Sequence, residues 1–174
     1  MTVMRKVVLD AVVHGVSPGD VFENVASWER YQELAPHAES VVVHRGRPEP
    51  TGSSSWELHF RSGLLQWSED ERFLTDQLRI EFEQTEGDFD VFTGTWTLSL
   101  DGGNPADTAV RFVCDFDFGI PSLEGILDPI AERVIKETVA WAIAGMHEKV
   151  TFGGGLDLTP TNVGGAEAAV PATA

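Results

Sequence analysis

The amino-acid sequence predicts an α+β domain in which a curved antiparallel β-sheet wraps around a long C-terminal α-helix and encloses an apolar cavity. Successive segments after residue 40 alternate apolar and polar residues, and short turns separate them, as in an antiparallel meander. One long helical segment follows, and a strongly curved sheet has only this element to cover its concave face. At 174 residues the chain has the length of one domain with a proper core.

The N-terminal part of the chain predicts one strand and two short helices. Residues 1–16 alternate as a strand does, and residues 17–20 (Ser-Pro-Gly-Asp) form a turn that can serve as a helix N-cap. Apolar residues at helical spacing over residues 21–28 predict the first helix. A second helical piece covers Trp28–Leu34.

Six further strands and the long helix make up the rest of the domain. The long helix covers Ser122–Val150, and Pro129 inside it predicts either a kink or a new start. Residues 151–174 are rich in Gly, Pro, Thr and Ala and have little to bury, so we expect a domain over residues 1–150 and a disordered tail after it. The six strands are predicted over Ser40–His44, Ser54–Arg61, Leu65–Leu74, Leu78–Gln84, Phe92–Leu100 and Ala109–Phe118.

The composition argues against several classes of function. A formal net charge of −16 disfavours binding to nucleic acid or to an anionic membrane, because both depend on Lys and Arg. No apolar stretch reaches the roughly 20 residues of a membrane span. Asp10 and His14 interrupt the N-terminus where a signal peptide would be apolar, so we expect a cytoplasmic protein. The single cysteine, Cys114, cannot form an internal disulfide and is expected to be a buried thiol.

Motifs for cofactors and metals do not occur in the sequence. There is no glycine-rich nucleotide-binding motif, and the Gly153–Gly155 run lacks the strand and helix that a phosphate loop needs. The five histidines include no pair at metal-ligand spacing. We therefore expect neither a cofactor nor a metal.

Four short stretches and the long helix carry a resemblance to a known family. The stretches are Val21–Tyr31, Glu86–Phe89, Phe92–Trp96 and Cys114–Phe118, and the helix contains Trp141. They resemble the polyketide cyclase and coenzyme-Q-binding branch of the START-like, helix-grip (SRPBCC) superfamily over most of the domain. The resemblance implies the helix-grip fold with a ligand pocket along the helix. In the aromatase/cyclases of this branch the pocket receives a poly-β-ketone bound to an acyl carrier protein, and ring closure and dehydration follow.

The strand over Leu65–Leu74 carries two acidic residues on its apolar face. Glu69 and Glu71 share that face with Trp67 and Phe73, because side chains alternate along a strand. If the face points inward, the two carboxyl groups lie in the cavity about 6–7 Å apart along the strand. Burial beside another acid raises a carboxyl pKa, which suits a general acid or base. A one-residue bulge or the twist of the sheet would instead leave both groups at a solvated rim.

The resemblance gives this strand a second interpretation. Counted from Trp67, a serine and an arginine of the aromatase pocket correspond to Glu69 and Glu71, and a carboxylate cannot polarise a ketone as an arginine can. A register shifted by one residue places Arg72 at the arginine position. The catalytic candidates are therefore Glu69, Glu71 and Arg72, and the sequence leaves open which of them face the cavity.

Further candidates lie on other elements. Tyr31 follows the first helix at the expected cavity mouth, where its hydroxyl either binds ligand or caps a surface. His37 lies near the same entrance and is the one histidine kept as a candidate acid or base. Thr138 either donates to a ligand carbonyl or bonds back to its own helix. The candidates for ligand contact, each with core packing as the alternative, are Trp28, Trp56, Trp67, Phe82, Gln84, Trp96, Cys114, Phe116, Thr138 and Trp141.

Two functions remain open on these grounds. The first is a polyketide cyclase of secondary metabolism, such as antibiotic biosynthesis, and the two glutamates favour it. The second is a non-catalytic carrier of a quinone or lipid. A toxin or ribosome-associated protein of the same branch is a weaker third, because an acidic chain does not suit ribosomal RNA. The expected partners are a hydrophobic small molecule and an acyl carrier protein, and the chain is expected to be a monomer or homodimer.

Overall fold

The computed structural model describes residues 4–156 and residue 158. The chain begins with strand β1 (Arg5–Val13) and helix α1 (Pro18–Val25), and a 3₁₀ turn leads into the short helix α2 (Tyr31–Leu34). The long helix α3 spans Glu124–Met146. The other strands are β2 (Ala38–Arg45), β3 (Thr51–Phe60), β4 (Gly63–Leu74), β5 (Arg79–Gly87), β6 (Val91–Asp101), β7 (Asn104–Asp117) and β8 (Val150–Phe152).

The eight strands form one antiparallel sheet in the order β2-β3-β4-β5-β6-β7-β1-β8. β1 pairs with β7 along its whole length, from Arg5 opposite Phe116 to Val13 opposite Thr108. α3 packs against both β1 and β3, which are far apart in this order, so the sheet curves around the helix. The predicted fold, a curved antiparallel sheet around a long C-terminal helix with two short helices after β1, is confirmed.

Helix α3 is buried over its middle turns, where small residues let other elements approach closely. Ala131, Ala140 and Ala142 are buried. The helix continues through Pro129, so that residue does not begin a new helix. Neither α3 nor any other helix of the described residues is long and apolar enough to cross a membrane.

The C-terminal boundary of the domain differs from the prediction. Val150–Phe152 form strand β8, which pairs antiparallel with β1, so the prediction of disorder is wrong for Thr151 and Phe152. The outer edge of β1 would otherwise present unpaired N–H and C=O groups, and β8 covers part of it. His14 Nε2 and Thr151 Oγ1 lie 2.8 Å apart and add a side-chain hydrogen bond to this pairing. Most of the predicted tail lies outside the described residues.

Candidate functional site

The candidate site is a cavity between α3 and the concave face of the sheet, with a volume of about 40 Å³. Eight of its lining residues are aromatic, so the wall is flat and apolar. Glu69 is the single carboxyl group among them. The lining residues are Trp28, Tyr31, Trp56, Leu58, Trp67, Glu69, Phe82, Phe92, Trp96, Phe112, Ile135, Thr138 and Val139.

The cavity is smaller than the prediction of a ligand-sized hollow requires. A volume of about 40 Å³ holds only a few water molecules, since one water needs about 10–15 Å³ by the same measure. Pockets for small organic ligands usually measure about 300–1,000 Å³. In this structure the side chains therefore close around the site, and a ring-sized guest enters only if some of them move.

The alternation of β4 decides which of its polar residues face inward. Glu69 and Glu71 are buried on the concave face, while Asp70 and Arg72 are exposed. The Arg72 guanidinium pairs with Glu81 on the outer face, with Nη1 and Oε1 3.0 Å apart. The prediction that places Arg72 in the cavity is therefore wrong, because the strand keeps its period of two through this stretch. The prediction of a solvated rim for the two glutamates is wrong for the same reason.

The Glu69 carboxyl group lies in the cavity wall, where the Trp67 indole holds it. Its Oε1 accepts a hydrogen bond of 2.8 Å from Trp67 Nε1. Burial raises the pKa of Glu69 well above its ordinary value, and the hydrogen bond and negative charge of Glu71 raise it further. The surroundings of Glu69 therefore favour its protonated form.

Glu71 lies behind Glu69 and belongs to a second set of hydrogen bonds. Its Oε2 accepts a hydrogen bond of 2.5 Å from Ser54 Oγ, which in turn accepts one of 2.8 Å from Trp56 Nε1. Burial raises the pKa of Glu71 as well, whereas the hydrogen bonds from Glu69 and Ser54 act in the opposite direction. Its other oxygen, Oε1, is buried and receives no hydrogen bond from an N–H or hydroxyl group of the described residues.

The two hydroxyl groups of the cavity wall are already in use. Tyr31 donates a hydrogen bond of 2.6 Å to the carbonyl of Val25, and Thr138 donates one of 2.7 Å to the carbonyl of Val134. Tyr31 is buried, so the expectation that it caps a surface at the cavity mouth is wrong. Of the two alternatives for Thr138, the structure shows the bond to its own helix. Burial, followed by the charge of Glu69, raises the pKa of Tyr31 well above its ordinary value.

The aromatic wall contains five of the predicted contact residues. The Trp56 and Trp67 rings are parallel, with centroids 5.8 Å apart, and Trp28 meets Trp56 edge-on at 6.0 Å. Phe82 and Trp96 complete the set. Two further aromatic residues at the wall, Phe92 and Phe112, were not predicted as contacts, although each lies on the apolar face of its strand.

Four predicted contact residues do not line the cavity. The Gln84 amide bonds to both backbone groups of Phe89 and braces the turn between β5 and β6. Phe116 packs against Phe89, with ring centroids 5.5 Å apart, and Cys114 is fully buried between strands. Burial raises the pKa of the Cys114 thiol well above its ordinary value, as suits an inert group. Trp141 is half-buried on α3 outside the wall.

His37 is also absent from the wall, so its predicted place as an acid or base at the entrance is wrong. Its ring is buried, and Nε2 lies 2.8 Å from Oε1 of Glu137 on α3. This pair ties the loop before β2 to the helix. Glu137 follows no motif that would have marked it as a partner for His37. Among the described residues no cluster of three or more His, Cys, Asp or Glu side chains is arranged to hold a metal.

Comparisons with known proteins identify the family and the fold. A family model described as polyketide cyclase / dehydrase and lipid transport matches residues 15–141. No curated protein matches the chain. The solved structure of TTHA0849 from Thermus thermophilus is similar, with 24% identity, a TM-score of 0.69, and coverage of 82% of this chain and 94% of that one.

Two other solved structures extend the likeness of fold. The Zhui aromatase/cyclase from Streptomyces sp. R1128 shows 17% identity and a TM-score of 0.66, and the match covers 82% of this chain and 93% of that one. A START superfamily protein from Mycobacterium smegmatis shows 17% identity and a TM-score of 0.64, with coverage of 83% and 97%. The architecture predicted from the sequence, a curved antiparallel sheet around a long C-terminal helix, is thus shared with these solved structures. This chain belongs to the polyketide cyclase / dehydrase and lipid transport family.

Proposed function

We propose that the protein is a polyketide cyclase of the dehydrating type, which binds a neutral, hydrophobic, ketone-bearing chain against the aromatic wall. The observation that carries the proposal is the buried carboxyl group of Glu69, the single carboxyl among the aromatic and aliphatic residues of the cavity wall, with a pKa raised chiefly by burial. A carboxyl group with a raised pKa can give and take a proton near neutral pH. We still expect an acyl carrier protein to deliver this chain in tethered form.

The proposed chemistry needs only Glu69 and the ligand. Protonated Glu69 gives its proton to the hydroxyl oxygen of a β-hydroxyketone, and the C–O bond breaks as water leaves. The Glu69 carboxylate then takes the proton from the carbon between the former hydroxyl carbon and the ketone, and that C–H electron pair forms the C=C bond. The ligand loses one water, and Glu69 ends with the proton it began with.

The aromatic wall supports the ring-closing part of the proposal. The parallel Trp56 and Trp67 rings offer a flat surface against which a planar enone or forming ring stacks. Holding two reacting carbons of one chain at near-attack distance can lower the activation free energy by about 7–11 kcal/mol in the best cases. Such positioning needs no further charged group, which agrees with a wall that presents only one carboxyl.

The experiment uses the aldol adduct of benzaldehyde and acetone, a β-hydroxyketone that loses water to give an absorbing enone. We expect the wild-type protein to accelerate the loss of water and the Glu69→Gln variant to be slower by about 10²–10⁴-fold. Glu83→Gln, the same change at an exposed position of β5, is the matched control and should keep full activity.

Two results would contradict the enzyme. Full activity in Glu69→Gln would remove Glu69 from the chemistry. Saturable binding of the adduct, detected by quenching of tryptophan fluorescence, with no acceleration by any variant would instead support the non-catalytic carrier.

A further inference from the structure

Four polar hydrogens of the cavity wall already have an acceptor within the protein. The indole N–H groups of Trp56 and Trp67 each donate a hydrogen bond of 2.8 Å to a neighbouring side chain. The hydroxyl groups of Tyr31 and Thr138 donate to backbone carbonyls. These four groups can therefore bind a ligand only if an existing hydrogen bond breaks.

Trp28 differs from them, because its buried indole N–H has no acceptor among the described residues. Its side chain lines the cavity, and the residue is only 2% exposed, so bulk water does not reach the N–H either. A buried N–H without an acceptor is costly, and native proteins pair most such groups. Because the ring is part of the wall, a ligand in the cavity is placed to supply the missing acceptor.

Aromatic packing holds the Trp28 ring in position. The Tyr31 and Trp56 rings meet it edge-on, with centroids 5.5 Å and 6.0 Å away, and the centroids of Phe73 and Trp96 each lie 6.3 Å away. A donor that is held by packing is oriented before the ligand arrives. Such preorganisation is what makes a hydrogen bond effective in binding and catalysis.

The unpaired N–H and the Glu69 carboxyl group belong to the same wall. Trp28 contacts Trp56, Trp56 stacks on Trp67 with centroids 5.8 Å apart, and Trp67 donates to Glu69. A β-hydroxyketone carries two different oxygens, a hydroxyl group that must receive a proton and a ketone that can only accept hydrogen bonds. The wall offers a carboxyl group for the first and an N–H, which can only donate, for the second.

We propose that the Trp28 N–H donates a hydrogen bond to the ketone oxygen of the ligand and thereby selects ligands that carry a carbonyl group. The proposal rests on the proposed function, because it assigns the second oxygen of the same substrate. The hydrogen bond also stabilises negative charge on the ketone oxygen while Glu69 takes the neighbouring proton. No covalent bond to Trp28 forms or breaks, and its N–H keeps its hydrogen throughout.

The test compares two probes of nearly the same shape, 2-acetylnaphthalene and 2-isopropenylnaphthalene, in which a CH₂ group replaces the ketone oxygen. Equilibrium dialysis gives the affinity of each probe for the wild type and for Trp28→Phe. We expect the ratio of ketone affinity to hydrocarbon affinity to fall by about 3–10-fold in Trp28→Phe, because the variant keeps a ring and loses the donor.

Trp141→Phe is the matched control. The Trp141 N–H is likewise buried without an acceptor among the described residues, but Trp141 does not line the cavity. This variant should keep the affinity ratio of the wild type. A fall of the same size in both variants would show a general effect of removing an indole and would overturn the proposal.

NMR of the indole N–H groups reads the same bond in the wild type without any substitution. We expect the Trp28 N–H proton to lie further downfield with 2-acetylnaphthalene than with 2-isopropenylnaphthalene, because the ketone oxygen accepts its hydrogen. The Trp141 resonance is the internal reference and should be the same with both probes. If Trp28→Phe does not fold, this measurement decides alone.

The outcomes separate this proposal from the proposed function. An unchanged affinity ratio in Trp28→Phe, the same Trp28 resonance with both probes, or failure of both probes to bind would overturn the donor. Loss of the ketone preference in Trp28→Phe, in a protein that shows no dehydration, would support the donor and contradict the enzyme. Dehydration that depends on Glu69, together with an unchanged affinity ratio in Trp28→Phe, would support the enzyme and overturn the donor.

Discussion

At the scale of single residues, the surroundings of Glu69 disfavour its charged form. Burial raises its pKa most, Glu71 raises it further, and the Trp67 N–H lowers it. A buried charge without a counter-ion is expensive, which is why burial raises the pKa of a carboxyl group in this position. The alternation of β4 placed Glu69 and Glu71 on one face with Trp67 and Phe73, but it left open whether the two carboxyl groups lie in the cavity or at a solvated rim. The hydrogen bond from Ser54 to Glu71 depends on which residues of β3 lie opposite β4, and spacing within one strand does not give that.

The raised pKa of Glu69 predicts how stability depends on pH. Its folded-state pKa lies above the ordinary value of 4.5, so its contribution is full below that pH and is lost as pH rises through the folded-state value. We therefore expect the urea midpoint of the wild type to fall as the pH is raised above about 5, and to fall less in Glu69→Gln. Parallel curves for the two proteins would contradict this, and Glu83→Gln serves as the control for removing one acidic group.

At the scale of elements, the sheet depends on glycine where a large ring crosses it. Gly94 of β6 lies directly opposite Phe82 of β5, and the Phe82 ring covers the space that a side chain would fill. A ring over a cross-strand glycine also shields the glycine backbone in the curved part of a sheet. This arrangement places Phe82 in the cavity wall.

Gly94→Ala should therefore destabilise the protein strongly. A Cβ at Gly94 would overlap both the Phe82 ring and the Val113 carbonyl oxygen, and the backbone oxygen cannot move aside cheaply. We expect a loss of about 2 kcal/mol or more in the free energy of unfolding, measured in urea. Gly63→Ala, at the start of β4, is the control, because a Cβ there meets nothing within 4 Å. Equal stability of the two variants would contradict the packing described for β5 and β6.

The elements themselves were largely predictable, and their ends were not. Period-two alternation identifies β3 to β7 because each has one dry face, and Ser17 and Pro18 mark the start of α1. β8 escaped prediction because three residues are too short for a pattern, and its pairing depends on the free edge of β1. The helix α3 ends at Met146, four residues before the predicted end, where the chain turns back toward that edge.

At the scale of the whole molecule, the fold follows from the order of elements, but the volume of the cavity does not. The order of strands and helices leaves one arrangement for the long helix, and the structure has it. A residue on the concave face of the sheet lines the cavity only if it also lies next to the gap between the sheet and α3. Gln84 and Phe116 fail this condition because they pack at the Phe89 turn. Volume is what remains after all side chains pack, so it needs coordinates.

Because the ligand is proposed to bind in this small cavity, a larger side chain that fills the cavity should abolish ligand binding. Val139 lines the cavity from α3, and Val139→Trp adds a ring where the ligand is proposed to lie. We expect this variant to fold, at a cost of about 1–3 kcal/mol, and to lose binding of naphthoquinone as measured by tryptophan quenching. Ile126→Trp adds the same ring at an exposed position of α3 and should bind as the wild type does. Undiminished binding in Val139→Trp would place the ligand elsewhere.

The most direct measurement is a crystal structure of the Glu69→Gln protein soaked with the aldol adduct, because this variant should bind without turnover. The account predicts density for the adduct between α3 and the Trp56–Trp67 pair, a ligand oxygen within hydrogen-bond distance of residue 69, and a cavity enlarged from about 40 Å³ by movement of aromatic side chains. An adduct bound only on the outer face of the sheet, with the cavity unchanged, would contradict it.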